Sequence, residues 1–285
     1  MGTWTGTDGT RLAYRVTGHG PTLVCLAGGP MQSSAYLGDL GGLSAHRTLV
    51  LADPRGTGES AVPADPATYR CDRQVDDVEA LRAHLGLDRL DLAAHSGGAA
   101  VALLYAARHP DRVGALVLSN PSPRVVGVDV TEQDRRGVAE QHRAEPWFPD
   151  GFAALERLWA GRAAGADLLA IAPFVYGRWD DATREYNAAQ ASARNADAAA
   201  TFYSAGAFDP DEVRAALSLL EARVLIVAGE RDLQLPPHRA AEYAGVFTRA
   251  AAEVAVLPGG GHFAWWDDPA WFARTVAAFL ARSSS

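Results

Sequence analysis

The segment that most constrains this chain is Leu90-Asp-Leu-Ala-Ala-His-Ser-Gly-Gly-Ala-Ala-Val-Ala-Leu-Leu-Tyr105. An apolar run of strand length meets an Ala- and Leu-rich run of helix length, with Ser96 alone at the corner. So sharp a turn strains its apical residue and admits only small neighbours two positions away, here Ala94 and Gly98. It lifts the hydroxyl above the strand end and aims helix N-terminal amides at whatever binds there. Alone, the segment also fits a Ser that only caps a helix.

Other short runs repeat the strand-then-helix order. Residues 22–27, 47–52, 89–94 and 112–118 read as strands, and 10–17 alternates like a half-buried one. Residues 72–85 and 97–108 read as helices. This order predicts an α/β fold, a mostly parallel sheet with helices on both faces. From 121 to 215 the strand pattern is missing, and Pro121, Pro123, Pro146 and Pro149 crowd the start of a mainly helical stretch. Strands return at 223–228 and 253–257, and an amphipathic helix covers 268–281. The expected organisation is a core of 1–120 and 216–285 with an inserted helical cap of 121–215.

Three further segments follow predicted strands. Gly28-Gly29-Pro30 can offer a backbone N–H to an oxyanion, although such a triplet is often a plain turn. Gly229-Glu-Arg-Asp232 places carboxylates at a strand end, and Gly259-Gly-Gly-His262 can carry an imidazole over the sheet. The order Ser, Asp, His is that of α/β-hydrolases rather than of chymotrypsin or subtilisin.

On these residues the chain resembles the α/β-hydrolases, and more narrowly their proline iminopeptidase-like branch. Ala27-Gly-Gly-Pro30 resembles that branch's HGGP loop. Asp53-Pro-Arg-Gly-Thr-Gly-Glu-Ser60 is similar to its D-x-R-G-x-G-x-S segment, and Ala94–Ala99 with Tyr105-Ala-Ala-Arg-His-Pro110 to its elbow and helix. The likeness covers 10–120 and 222–280. It implies Ser96 as nucleophile, His262 as base and Asp232 as the acid that orients the base. It also implies an oxyanion hole from the Gly29 and Gly97 amides, and a cap over the site. Ala27, Met31 and Gly97 depart from the branch's usual residues. Leu233 stands where relatives that trim N-terminal residues can carry an acid for the substrate amine.

The expected reaction is hydrolysis of a small amide or ester through an acyl-enzyme, with an N-terminal aminoacyl amide as the leading substrate. Esterase, thioesterase and carbon–carbon hydrolase chemistry share these residues, and a non-catalytic binding protein can share the fold. The cap is expected to set specificity without adding to the three-residue set. Trp179 and Tyr203 are its candidate substrate contacts. Glu185, ahead of Asp180 and Asp181, is the candidate partner for an amine, although these acids also fit a solvated helix face.

Composition narrows the partners. With 34 acidic against 26 basic residues the net charge is −8, and no basic run appears, which argues against nucleic acid. The partner is therefore expected to be a small molecule or short peptide. No Cys/His/Asp cluster has metal-ligand spacing, so neither metal nor cofactor is expected. Two cysteines, Cys25 and Cys71, do not suggest a disulfide framework. No basic start followed by an apolar stretch opens the sequence and no run could span a bilayer, so a cytoplasmic location without membrane contact is expected.

Overall fold

The computed structural model describes residues 1–190, 193–250 and 252–282. Among them, eight strands form one sheet: β1 (Gly2–Thr5), β2 (Arg11–Thr17), β3 (Thr22–Leu26), β4 (Thr48–Ala52), β5 (Leu90–His95), β6 (Val113–Ser119), β7 (Arg223–Gly229) and β8 (Ala252–Leu257). Their spatial order is β1-β2-β4-β3-β5-β6-β7-β8. β2 pairs antiparallel with β1 and β4, and the remaining pairs are parallel. This is the expected α/β architecture. β1 had no sequence signature, because Trp4 is its one buried residue and four residues with one inward side chain show no alternation.

Burial explains why the central strands are apolar throughout. Val24 belongs to one hydrophobic cluster, with Val50, Leu92, Leu116 and Ile226. Its neighbours Leu23 and Cys25 belong to another, with Leu51, Val117, Leu225 and Val227. Successive side chains point to opposite faces, and both faces are covered. The helices Val75–His84 and Gly98–Arg108 cover the first face, and Pro269–Ala281 covers the second. Parallel strands all present their C-terminal ends to one edge, and there the loops after β3, β5, β6, β7 and β8 meet.

The Asp53–Ser60 segment is scaffolding. Asp53 accepts from Ser33 Oγ, the N–H and Oγ of Ser34, and the Glu59 N–H. Arg55, 2% exposed, forks onto Asp77 at 2.5 and 2.6 Å and also reaches Asp8. Ser60 Oγ donates to Asp53 O and accepts from Ala13 N–H, tying the loop to β2. Both cysteines are free and buried.

Between β6 and β7 the described regular elements are all helices, joined by loops, apart from an isolated bridge at Arg194. Trp147, Phe148, Phe152, Trp159 and Phe174 make an aromatic cluster there, which Leu233 joins from the loop after β7. The expected boundary after 215 falls inside the helix Pro210–Leu217. That helix packs with the sheet's own cluster through Val213 and Leu217. It belongs with the core layer because its apolar stripe has a core face to bury against.

Candidate active site

The corner after β5 has the expected geometry. Ser96 holds φ at 49°, in the left-handed region that a non-glycine residue rarely occupies. The conformation is braced on both sides: Ser96 N–H donates to Ser119 O at 3.1 Å, and Ser122 N–H donates to Ser96 O at 3.1 Å. The Ser96 hydroxyl has no hydrogen-bond partner among the described residues. It opens on a cavity of about 590 Å³ that His262, Gly29 and Gly97 also line.

Asp232 and His262 are brought together from two loops laced by main-chain bonds, Glu230 N–H to Leu257 O and Arg231 N–H to Gly260 O. His262 Nδ1 lies 2.9 Å from Asp232 Oδ2. Both residues are buried, at 3% and 1% exposed. Burial by itself would raise the Asp232 pKa. The nearby His262 ring, and hydrogen bonds from it, Asn120 and the Gln234 N–H, outweigh that and hold the pKa below the ordinary value. Glu230 instead accepts from Gly259 N–H at an exposed site. A carboxylate fixed as an anion at Nδ1 keeps that nitrogen protonated and leaves Nε2 free to accept a proton.

Asn120 was not found from the sequence. It follows β6 with φ 46° and donates through Nδ2 both to Asp232 Oδ2, at 2.9 Å, and to Gly261 O, at 3.1 Å. One amide therefore holds the acid and the loop that carries the imidazole. Its sequence cue is faint: an Asn directly after a strand, a residue type that tolerates the left-handed region.

Across the cavity, Gly28 passes so close to the elbow that a Cβ on it would lie 2.5 Å from His95 O. Gly29 has φ 110°, which favours glycine. The Gly28 N–H is taken by Tyr36 Oη at 2.7 Å, whereas those of Gly29 and Gly97 donate to no described residue. His95 packs against His262 and hydrogen-bonds beside the corner. Its Nε2 is 3.0 Å from His262 O, which can only accept, so Nε2 carries the proton. Its Nδ1 therefore accepts from Tyr36 Oη at 2.8 Å. Complete burial, and then the neighbouring His262, push the His95 pKa well below its ordinary value. A neutral His95 thus links the glycine loop, through Tyr36, to the main chain of His262.

Of the three expected substrate contacts, Tyr203 lines the cavity and the other two do not. In the helix Asp181–Gln190, Thr183 accepts from Trp266 Nε1 and Tyr186 stacks on Trp266 at 3.9 Å. That face turns inward and leaves Glu185 exposed, because residues two apart on a helix point in nearly opposite directions. Trp179 lies against Tyr176 at 5.6 Å and under Arg184, away from the opening. Asp180 and Asp181 pair with Arg178 and Arg184. Leu233 is buried in the aromatic cluster. The helical segment also reaches the base through the main chain: His262 N–H donates to Val175 O at 2.7 Å.

Asp267 braces the same loop, accepting from Gly261 N–H at 2.7 Å and Gly177 N–H at 3.0 Å. Burial raises its pKa to about 6, against the lowering effect of those bonds. The folded state therefore keeps this proton over a range where the unfolded chain has lost it. The resulting contribution is intact below about pH 4 and is lost as pH rises towards 6. The wild-type unfolding free energy minus that of Asp267→Asn should fall by on the order of 1–2 kcal/mol between those limits, measured by urea titration. A flat or rising difference contradicts the assignment.

Among the described residues no His, Cys, Asp and Glu cluster could hold a metal, and no helix is long and apolar enough to cross a membrane.

With sheet, corner and facing loops in place, the chain belongs to the α/β hydrolase fold family, whose model matches residues 21–269. Within it, the sequence is similar to the proline iminopeptidase of Lactobacillus helveticus (strain DPC 4571), 37% identical over 114 residues, 38% of this chain and 39% of that protein. It is also similar to a putative 2-succinyl-6-hydroxy-2,4-cyclohexadiene-1-carboxylate synthase of Bacillus subtilis (strain 168), 32% identical over 161 residues, 54% of this chain and 56% of that protein. The chain thus spans about two fifths of the length of the iminopeptidase it matches. The fold is shared over nearly the whole chain with an esterase from Exiguobacterium antarcticum: TM-score 0.72, 18% identity, 99% of this chain and 100% of that one.

Proposed function

We propose that this protein is a serine hydrolase that cleaves a small ester or amide through an acyl-enzyme on Ser96. The observation that carries the reading is that His262, hydrogen-bonded to Asp232 behind it, lines the same cavity as a Ser96 held at positive φ. His262 Nε2 takes the hydroxyl proton as Ser96 Oγ attacks the carbonyl, and Asp232 stabilises the imidazolium. The oxyanion is held by the Gly29 and Gly97 amides, each worth roughly 2.7–4 kcal/mol in such a site. The tetrahedral intermediate expels the alcohol or amine, which leaves with the proton from His262. Water then attacks the acyl-enzyme, giving its proton to His262, which returns it to Ser96 Oγ as the Oγ–acyl bond breaks and the acid leaves. The Ser96–His262 hydrogen bond forms in the substrate complex, as is common for catalytic pairs that are apart in the free enzyme. The helical segment after β6 acts as a cap, with Tyr203 at the cavity wall and Val175 bracing the base.

Labelling with a fluorophosphonate tests this. Intact-mass analysis should show one adduct on the wild type and none on a folded Ser96→Ala variant. Equal labelling of the two overturns the assignment.

A further inference from the structure

The cavity has a charge opposite to that of the chain. The protein carries a net −8, yet no acidic side chain is among the described residues that line this opening. Two arginines are. Arg124 begins the short turn Arg124–Val126 soon after β6, and its guanidinium lies over the Tyr203 ring at 5.3 Å. Arg194 leans on the glycine loop, donating from Nε to Pro30 O at 3.2 Å, and its terminal amines donate to no described residue. Neither forms an ion pair with a described carboxylate, although most other arginines that line loops and helices here do. The acids proposed for an amine, Glu185, Asp180 and Asp181, lie outside the lining, and the residue after Asp232 is the apolar, buried Leu233.

Resting on the reading of Ser96 as nucleophile, we propose that the cavity takes an ester or amide bearing a second, free carboxylate, gripped by Arg124 and Arg194. An ammonium group there would meet two positive charges and no counter-charge. A carboxylate completes the open forks of both side chains, and charge-assisted hydrogen bonds of this kind are the stronger class. The free amides of Gly29 and Gly97 are reserved for the scissile oxygen, so the second anion is left to the side chains. The two guanidiniums also draw an anionic substrate towards the opening against the chain's overall repulsion.

The test uses three nitrophenyl esters of equal chain length: the half-ester of adipic acid, its methyl diester, and the ester of aminohexanoic acid. The wild type should cleave the carboxylate form with a kcat/KM at least about tenfold above either of the others. Arg124→Met and Arg194→Met should each lower kcat/KM for the carboxylate form several-fold more than for the methyl diester, chiefly through KM. The wild-type preference should also shrink as salt is raised. Equal or better cleavage of the neutral or amine form overturns the proposal, as does an equal loss on all three esters in both variants. Hydrolysis that persists in Ser96→Ala would instead overturn the serine-hydrolase reading, so the two failures are distinguishable.

Discussion

Replacing Asp232 by Asn is expected to lower kcat by roughly 10⁴-fold with the fold intact, as loss of the acid does in comparable triads. The carboxylate accepts on Oδ2 from both His262 and Asn120 and on Oδ1 from Gln234 N–H, so all of its surroundings are donors. An amide in the same place must turn its own NH₂ towards one of them, and it no longer offers a charge to the imidazolium formed when Ser96 loses its proton. Glu230→Gln should cost far less, because Glu230 serves the exposed Gly259 amide. Steady-state kinetics at neutral pH on both variants decides the matter. An Asp232→Asn enzyme with more than a tenth of wild-type kcat, or a larger loss in Glu230→Gln, would remove Asp232 from its proposed role.

Arg55→Met is expected to destabilise the protein by about 3–5 kcal/mol, because it strands a buried carboxylate. Asp77 is 6% exposed and is forked by Arg55 at 2.5 and 2.6 Å. Burial opposes the Arg55 charge, but its hydrogen bonds to Asp77 and Asp8 outweigh it and hold its pKa above the ordinary value. Burial already holds the Asp77 pKa above its ordinary value against the lowering effect of Arg55, and without Arg55 that burial and the nearby Asp8 and Asp76 charges raise it further. The deficit should then be full at neutral pH and shrink as acid protonates the group. Arg55→Met with Asp77→Leu should recover much of the loss, since an apolar pair of similar volume needs no counter-charge. Denaturant unfolding of the single and double variants measures this. A single-variant loss below about 1 kcal/mol would mean that the pair is solvated in solution.

The contrast between these two residues shows what a motif can and cannot say. Asp53-Pro-Arg-Gly-Thr-Gly-Glu-Ser60 drew attention as a family segment, yet Arg55 and Asp53 spend their hydrogen bonds on scaffold partners that are distant in sequence. Asn120, which holds the acid, belongs to no motif. The strand runs at 22–27, 47–52, 89–94, 112–118 and 223–228 were readable because a strand buried on both faces must be apolar at every position. The β1 strand was not, since a single inward Trp4 leaves no pattern.

The sequence by itself determined the α/β order, the strained corner at Ser96 and the glycine loop facing it. Each is a local demand: small residues where backbones touch, a left-handed φ at one position, apolar runs of strand length. It also made Asp232 and His262 candidates by their order. Tertiary structure alone decided which carboxylate meets His262, because Asp232 and Glu230 sit two residues apart and only the lacing of the β7 and β8 loops turns one inward. Tertiary structure also turned Glu185 out to solvent, since helix rotation is set by what Thr183 and Tyr186 pack against. And it brought Arg124 and Arg194, 70 positions apart in the sequence, to one cavity, a convergence that no local pattern encodes.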